Sequence, residues 1–176
     1  MMDRMGYGLI LVDVQRNMLE GDGAVAGAAE LRDVLAGLLE AARDAGAPIV
    51  HVKNDGPPGD PDEPGTPGWE LVFPPRPGEP IVRKDAPNAF ESNPALADVL
   101  RAMGVDALIV AGLQSEHCVQ ATAIGAAERG FDVVVPAGAH ATYDDDAPAA
   151  EIVERVELDL AAAGVEVVEL DEVRFH

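Results

Sequence analysis

The chain has few of the residues that mark secreted, membrane-bound or nucleic-acid-binding proteins. It holds a single cysteine among 176 residues, so no disulfide can form within it and a reducing compartment is expected. Lysine and arginine number 12 against 32 acidic residues, and 12 − 32 gives a formal charge of −20. Such a surface repels nucleic-acid phosphates and anionic lipids. No apolar run approaches the ~20 residues that span a bilayer, and no signal peptide is expected. We therefore expect a cytoplasmic protein that has neither nucleic acid nor a membrane as a partner.

Aromatic residues are also scarce, at 4% of the chain, so the core must be built from aliphatic side chains. Short apolar runs alternate with helical patterns, which predicts a mostly parallel sheet with helices on both faces. We predict one α/β domain over residues 1–176. The predicted strands are 7–12, 48–53, 81–84, 106–111, 131–135 and 165–170, and the predicted helices are 24–45, 93–103, 115–129 and 144–164.

Prolines and glycines concentrate in residues 54–80, which are predicted to form a long irregular loop. Loops of this length in compact domains are uncommon and often functional. Elsewhere, Asn93 is predicted to cap the second helix with Pro94 in its first turn, and Ser115 to cap the third.

Chemically useful side chains follow three of the predicted strands. Asp13 ends the first strand, Lys84 ends the third, and Cys118 follows the fourth. Ligands and chemistry gather at the carboxyl ends of the strands in such sheets. An acid, a cation and a thiol at three strand ends therefore predict a catalytic site.

Each of these residues also has an ordinary structural interpretation. A single cysteine is most often a buried apolar thiol. In the first turn of a helix, however, Cys118 would have its thiolate favoured by the helix dipole. Asp13 could be a strand terminator or the base that takes the thiol proton. Lys84 could point to solvent, or it could hold Asp13 and Cys118 in their charged forms.

The sequence predicts no metal and no cofactor. His51 has Asp55 and Asp60 nearby but no second histidine in its loop, which falls short of the three or four ligands that zinc requires. The glycines of residues 21–27 miss the spacing of a dinucleotide fingerprint and do not directly follow a strand.

Four segments together resemble the isochorismatase-like cysteine hydrolases. They are residues 9–15 around Asp13, residues 83–90 around Lys84, residues 111–119 around Cys118, and residues 136–142. The resemblance covers nearly the whole chain in order and spacing. It departs from the nicotinamidases of that family in the loop after the second strand, which lacks their histidine-rich metal cluster.

The resemblance implies a three-layer α/β/α sandwich with a six-stranded, mostly parallel sheet in the order 3-2-1-4-5-6, a Rossmann-like, isochorismatase-like fold. It implies a non-proline cis peptide between Leu113 and Gln114, and an oxyanion hole formed by the backbone N–H groups of Gln114 and Cys118. By the same resemblance, Asp13, Lys84 and Cys118 form a catalytic triad. That triad would cleave a small amide or ureido-type C–N bond through a thioester.

Substrate contacts are expected from Met18, Phe90 and His117, which flank the strand ends. Trp69, in the long loop, is either a lid over the site or a hydrophobic anchor for that loop or for a subunit interface. The resemblance also implies a homo-oligomer, a dimer or larger. A rival interpretation is a non-catalytic small-molecule-binding or redox-sensing domain that uses Cys118, and the Asp13–Lys84 pair is the feature that argues against it.

Overall fold

The computed structural model describes residues 5–176 and contains a seven-stranded sheet. Its strands are β1 (Tyr7–Val12), β2 (Ile49–Asn54), β3 (Ile81–Lys84), β4 (Ala107–Leu113), β5 (Asp132–Pro136), β6 (His140–Ala141) and β7 (Glu166–Val168). The order is β3-β2-β1-β4-β5-β7, with β6 pairing β4, and these strands pair in parallel. The predicted order is therefore confirmed, and the two-residue β6 is an addition to the six predicted strands.

Helices cover both faces of this sheet and give the predicted three layers. They are α1 (Arg16–Leu19), α2 (Ala28–Asp44), α3 (Ala89–Ser92), α4 (Leu96–Ala102), α5 (Gln120–Glu128) and α6 (Ala149–Ala162). Alternate side chains of β1 enter two separate cores. Leu9 and Leu11 pack with α1 and α2, whereas Ile10 and Val12 pack with α3 to α6. This alternation explains why β1 reads as a continuous apolar run.

Several predicted helix starts are wrong by a few residues. Helix α2 begins at Ala28 rather than at residue 24. Asn93 and Pro94 precede α4, which begins at Leu96, because a separate short helix, α3, comes first. Its cap is Asn88, whose side chain accepts a hydrogen bond from Phe90 N at 3.0 Å. Helix α6 begins at Ala149, whose N–H donates to Asp144 Oδ1 at 2.7 Å.

The long segment between β2 and β3 contains one short 3-10 turn, Pro67–Trp69. A buried glutamine holds this segment to the sheet. Gln15 is 0% exposed, and its Nε2 donates to Asn54 O and Trp69 O, each at 3.0 Å. The loop therefore has a defined path beside the carboxyl ends of the strands.

The carboxyl ends of β1 and β4 approach each other very closely. Gly112 of β4 lies opposite Val12 of β1, and a Cβ on residue 112 would lie 2.1 Å from Val12 O. Its φ of 133° also favours glycine. This approach brings the residues that follow the two strands together. In residues 5–176, no helix has the length and apolar character needed to cross a membrane.

Candidate active site

Three strand ends contribute the central side chains of the candidate site. Asp13 directly follows β1, Lys84 is the last residue of β3, and Cys118 lies in a π-helical turn, Ser115–Val119, after β4. Because β1 lies between the strands that lead to the other two residues, all three side chains meet at one edge of the sheet.

The lysine ammonium lies between the acid and the thiol. Lys84 Nζ is 3.0 Å from Asp13 Oδ2 and donates to Cys118 Sγ at 3.2 Å. It also donates to Asn54 Oδ1 at 2.9 Å. The side chains of Lys84 and Asp13 are 0% and 3% exposed, so the ion pair is shielded from water and its interactions are strong. The structure therefore brings together all three residues singled out from the sequence.

Burial controls the protonation of the thiol and the acid. Burial raises the pKa of Asp13. The charge of Lys84, and after it a hydrogen bond with Cys118, lower that pKa and partly offset the rise. Burial, followed by the negative charge of Asp13, raises the pKa of the Cys118 thiol to about 12. Both effects favour the thiol over the thiolate, which differs from the expectation that a helix terminus would favour the thiolate.

The backbone of Asp13 is held in an unusual conformation. Its φ is 51°, in the left-handed region, which costs a non-glycine residue about 1–3 kcal/mol. Its N–H donates to Val52 O at 3.0 Å, and its carbonyl accepts from Gln15 N at 2.8 Å. Its Oδ1 is buried and has no hydrogen-bond partner among the described residues. The carboxylate thus keeps one oxygen available for a proton.

The turn that carries Cys118 begins at a cis peptide between Leu113 and Gln114, as the family resemblance implied. The N–H groups of His117 and Val119 both donate to Gln114 O at 3.2 Å. Because the residues on either side of Cys118 are both bonded to Gln114 O, the backbone of this turn sets the position of Cys118.

Ser115 does not cap a helix as predicted, because its hydroxyl bonds a buried histidine instead. Ser115 Oγ is 2.7 Å from His140 Nδ1, and His140 Nε2 is 3.1 Å from Glu157 Oε1. Burial lowers the pKa of His140 to about 4, so its imidazole is neutral and can accept from Ser115 while it donates to Glu157. His140 therefore links the turn that carries Cys118 to α6.

Cys118 opens onto a cleft of about 280 Å³, a size suited to a small molecule. The lining residues are Asp13, Asn17, Met18, Asn54, Asp60, Pro61, Asp62, Gln114, His117, Cys118 and Tyr143. Of the expected substrate contacts, Met18 and His117 lie here. A larger apolar cavity of about 440 Å³ lies between α2 and the C-terminal segment, away from these three residues.

Phe90 and Trp69 lie elsewhere. Phe90 is 1% exposed and packs against Phe131 in the core, with ring centroids 6.3 Å apart. Trp69 donates from Nε1 to Asp55 Oδ1 at 2.9 Å, and Lys53 Nζ lies 3.2 Å from its ring centroid. Trp69 therefore acts as an anchor of the loop, which is the second of its two interpretations.

The sequence analysis missed Asn54 and Asp62, which line the cleft, and Gln15, which holds the adjoining loop. Asn54 joins Lys84 to Asp62, because its Nδ2 donates to Asp62 Oδ2 at 2.7 Å. Its place at the end of a buried strand was a usable signal, the same one that drew attention to Asp13. Nothing in the proline-rich loop indicated that Asp60 and Asp62 would reach the cleft.

His51 lies outside the cleft and is engaged in an ion-pair cluster. Its Nε2 is 2.8 Å from Glu79 Oε2, and Glu79 Oε1 accepts from Arg43 Nε at 2.7 Å. Within residues 5–176, histidine, cysteine and acidic side chains nowhere converge in a group of three or more that could hold a metal ion.

Comparison with known proteins places the chain in a family. The sequence model of the isochorismatase domain matches residues 7–172. Streptothricin hydrolase from Streptomyces noursei is 50% identical over 138 residues, which are 77% of this chain and 50% of that protein. The chain thus spans about half the length of this curated relative.

Solved structures agree with that match. An isochorismatase from Pseudomonas putida KT2440 has a TM-score of 0.87 and 30% identity, covering 96% of this chain and 90% of the other. An N-carbamoylsarcosine amidase from Thermoplasma acidophilum has a TM-score of 0.82 and 26% identity, covering 97% and 99%. The extent of the sequence match and these shared folds lead to one conclusion: the chain belongs to the isochorismatase family of hydrolases.

Proposed function

We propose that this chain is a cysteine-dependent hydrolase that cleaves a small amide or ureido-type C–N bond through a thioester. The observation that carries the proposal is the position of Lys84 Nζ, 3.0 Å from Asp13 Oδ2 and 3.2 Å from Cys118 Sγ, beside a small cleft. The names of two similar proteins, a streptothricin hydrolase and an N-carbamoylsarcosine amidase, support C–N bond chemistry.

In the first half of the proposed reaction, Asp13 removes the Cys118 proton as sulfur attacks the substrate carbonyl. Because the pKa of the free thiol is raised to about 12, proton transfer accompanies attack rather than preceding it. Lys84 keeps Asp13 ionised before the transfer and stabilises negative charge on sulfur. The backbone N–H groups of Gln114 and Cys118 are assigned to the developing oxyanion.

In the second half, protonated Asp13 gives its proton to the departing nitrogen, and the C–N bond breaks to leave a thioester on Cys118. Water then attacks the thioester carbonyl and transfers a proton to Asp13. Collapse of that intermediate releases the acid product and returns the thiol. One carboxylate therefore alternates between base and acid without a metal or cofactor.

The rival role, a redox-sensing or purely binding domain, fits these observations less well. A sensor thiol has no need of a buried carboxylate with an unpartnered oxygen beside it, as Asp13 provides here.

Ammonia release from a panel of small carboxamides and ureido compounds tests the proposal. We expect turnover by the intact chain and a loss of at least about a thousandfold in Cys118→Ala, because the nucleophile is gone. Circular dichroism and thermal melting of the variant should show an unchanged fold. Undiminished turnover in Cys118→Ala would contradict the proposal.

Other expectations from the sequence stay predictions. They are the homo-oligomeric state, the cytoplasmic location and a single domain spanning residues 1–176. Sedimentation equilibrium of the purified chain measures the first of these directly.

A further inference from the structure

We propose that the cleft selects amide substrates carrying a cationic group, an ammonium or a guanidinium, which Asp60 and Asp62 recognise. This inference rests on the proposed hydrolase function, since it names the class of amide that the enzyme cleaves. It concerns the part of the substrate that extends away from Cys118 toward the loop after β2.

The charge of the cleft lining is strongly unbalanced. Three carboxylates line it, those of Asp13, Asp60 and Asp62, whereas its described lining includes no lysine and no arginine. The nearest ammonium, on Lys84, is fully buried and already occupied by Asp13, Asn54 and the thiol. Because Lys84 already balances Asp13, the uncompensated charge is that of Asp60 and Asp62, which would repel an anionic substrate and attract a cationic one.

The hydrogen-bonding character of the site points the same way. Among the described residues, the buried side-chain polar atoms without a partner are Asp13 Oδ1, Asn17 Oδ1 and Glu116 Oε2. All three are acceptors. Asp13 Oδ1 is the oxygen proposed to take the Cys118 proton, which leaves Asn17 Oδ1 as the unpartnered acceptor at the cleft for a ligand. Asp13 is 2% exposed. A ligand that satisfies such a site must supply hydrogen-bond donors, as ammonium and guanidinium groups do.

Asp62 is held in place by its surroundings. Asn54 Nδ2 donates to its Oδ2 at 2.7 Å, and Gly56 N donates to its backbone carbonyl at 2.9 Å. A Cβ on residue 56 would lie 1.9 Å from Asp62 Oδ1, so only glycine leaves room for the carboxylate there. Asp62 is also near enough to Asp13 to add to the rise in its pKa, which comes mainly from burial.

The cations of the neighbouring strands are committed elsewhere. Lys53 Nζ lies over the Trp69 ring at 3.2 Å from its centroid. Arg83 Nε is 2.9 Å from Asp55 Oδ2. Both cations therefore contact Trp69 or Asp55, neither of which lines the cleft. Asp60 and Asp62 are left for the substrate.

Labelling of the single cysteine tests the inference without requiring turnover. Three methanethiosulfonates that transfer a 2-aminoethyl, a methyl or a 2-sulfonatoethyl group report the potential at the thiol, because Cys118 is the only cysteine in the chain. The rate of each reagent with Cys118 is divided by the rate of the same reagent with 2-mercaptoethanol. This division removes the differences in intrinsic reactivity among the three reagents. We expect the normalised ratio of cationic to anionic labelling to exceed one by about tenfold or more.

Charge-neutralising variants separate the local effect from the overall charge. Asp62→Asn and Asp60→Asn should each lower that ratio by roughly threefold or more, and asparagine at 62 keeps an oxygen for Asn54. The matched control, Asp98→Asn, removes the same charge from a side chain that is 88% exposed on α4. It should leave the ratio nearly unchanged. An equal fall in the control, or a wild-type ratio near one, would overturn the inference.

A second measurement uses three six-carbon primary amides that differ only at the far end: 6-aminohexanamide, hexanamide and the monoamide of adipic acid. The first should protect Cys118 from labelling at the lowest concentration, and the last should protect least. Loss of this order would also overturn the inference. If the order holds while none of the amides releases ammonia, that result counts against the hydrolase proposal and leaves the cation selectivity supported.

Discussion

At the scale of single residues, the site combines a thiol whose pKa is raised with a carboxylate that has one unpartnered oxygen among the described residues. Cys118 lies 3.2 Å from Lys84 Nζ, yet burial and Asp13 together raise its pKa to about 12. Asp13 is held at a φ of 51° with Oδ1 unpartnered among the described residues. These features fit a nucleophile that loses its proton only during attack, with Asp13 as the recipient.

Alkylation of Cys118 by iodoacetamide tests this protonation state. The second-order rate should keep rising with pH beyond the ordinary thiol pKa of about 8.5, because the folded pKa is raised to about 12. Asp13→Asn should increase the rate at a fixed pH, since it removes a charge that raises the thiol pKa. A plateau near neutral pH in the intact chain would contradict this picture.

At the scale of elements, one ion-pair cluster fastens the end of the long loop to α2 and β2. Glu79 accepts from Arg43 Nε at 2.7 Å and lies 2.8 Å from His51 Nε2. The Arg43 hydrogen bond is the main cause that lowers the pKa of Glu79 to about 2. A lowered carboxyl pKa means that this stabilisation is present at neutral pH. It is lost as the pH falls from about 4.5 through about 2.

Glu79→Gln should therefore lower the free energy of unfolding at neutral pH by about 2 kcal/mol, because a charged hydrogen bond to a nearly buried arginine is lost. The matched control is Glu40→Gln. Glu40 also bonds Arg43, at 3.0 Å, but its side chain is 55% exposed, so its loss should cost under about 0.5 kcal/mol. Urea denaturation measures both values, and equal effects would contradict the assignment.

The strands were predictable from the sequence, whereas two of the helix caps were predicted wrongly. Apolar runs located the strands, and the resemblance supplied their order. Asn93 and Ser115 were misplaced as caps because the side chain of Asn88 caps α3 and because His140, 25 residues downstream, engages the Ser115 hydroxyl. The Asn88 cap is a local contact with Phe90 that the sequence analysis overlooked. The contact between Ser115 and His140 depends on tertiary structure and has no local signal.

The site itself was predictable to the extent that its residues end strands. Asp13, Lys84 and Cys118 could be singled out because parallel strands present their carboxyl ends at one edge. Phe90 follows β3 in the chain but turns into the core beside Phe131. Asp62 reaches the cleft only because Asn54 and Gly56 hold its loop, which residue spacing alone could not reveal.

At the scale of the whole molecule, the chain carries a formal charge of −20 and has two mainly aliphatic cores, one on each face of the sheet. Like charges on the surface repel one another and oppose the compact state. Ions weaken this repulsion, whereas the buried pair of Lys84 and Asp13 is screened far less.

Raising sodium chloride from about 10 mM to about 200 mM should therefore increase the melting temperature by a few degrees, since the Debye length shrinks from about 30 Å to under 10 Å. Potassium chloride should give the same rise, because the effect depends on ionic strength. Calorimetry provides the measurement, and a fall in melting temperature with salt would show that attractive surface pairs outweigh the repulsion.

The measurement that tests the central claim most directly is the intact mass of the chain, quenched in acid during turnover of an amide that it hydrolyses. The account predicts a transient species heavier by the acyl group of the substrate. The added mass should map to Cys118 and should be absent in Cys118→Ala. In Asp13→Asn it should form about a hundredfold or more slowly, because the proton acceptor is missing. Rapid turnover in which no acyl group ever appears on Cys118, or undiminished acylation in Asp13→Asn, would contradict it.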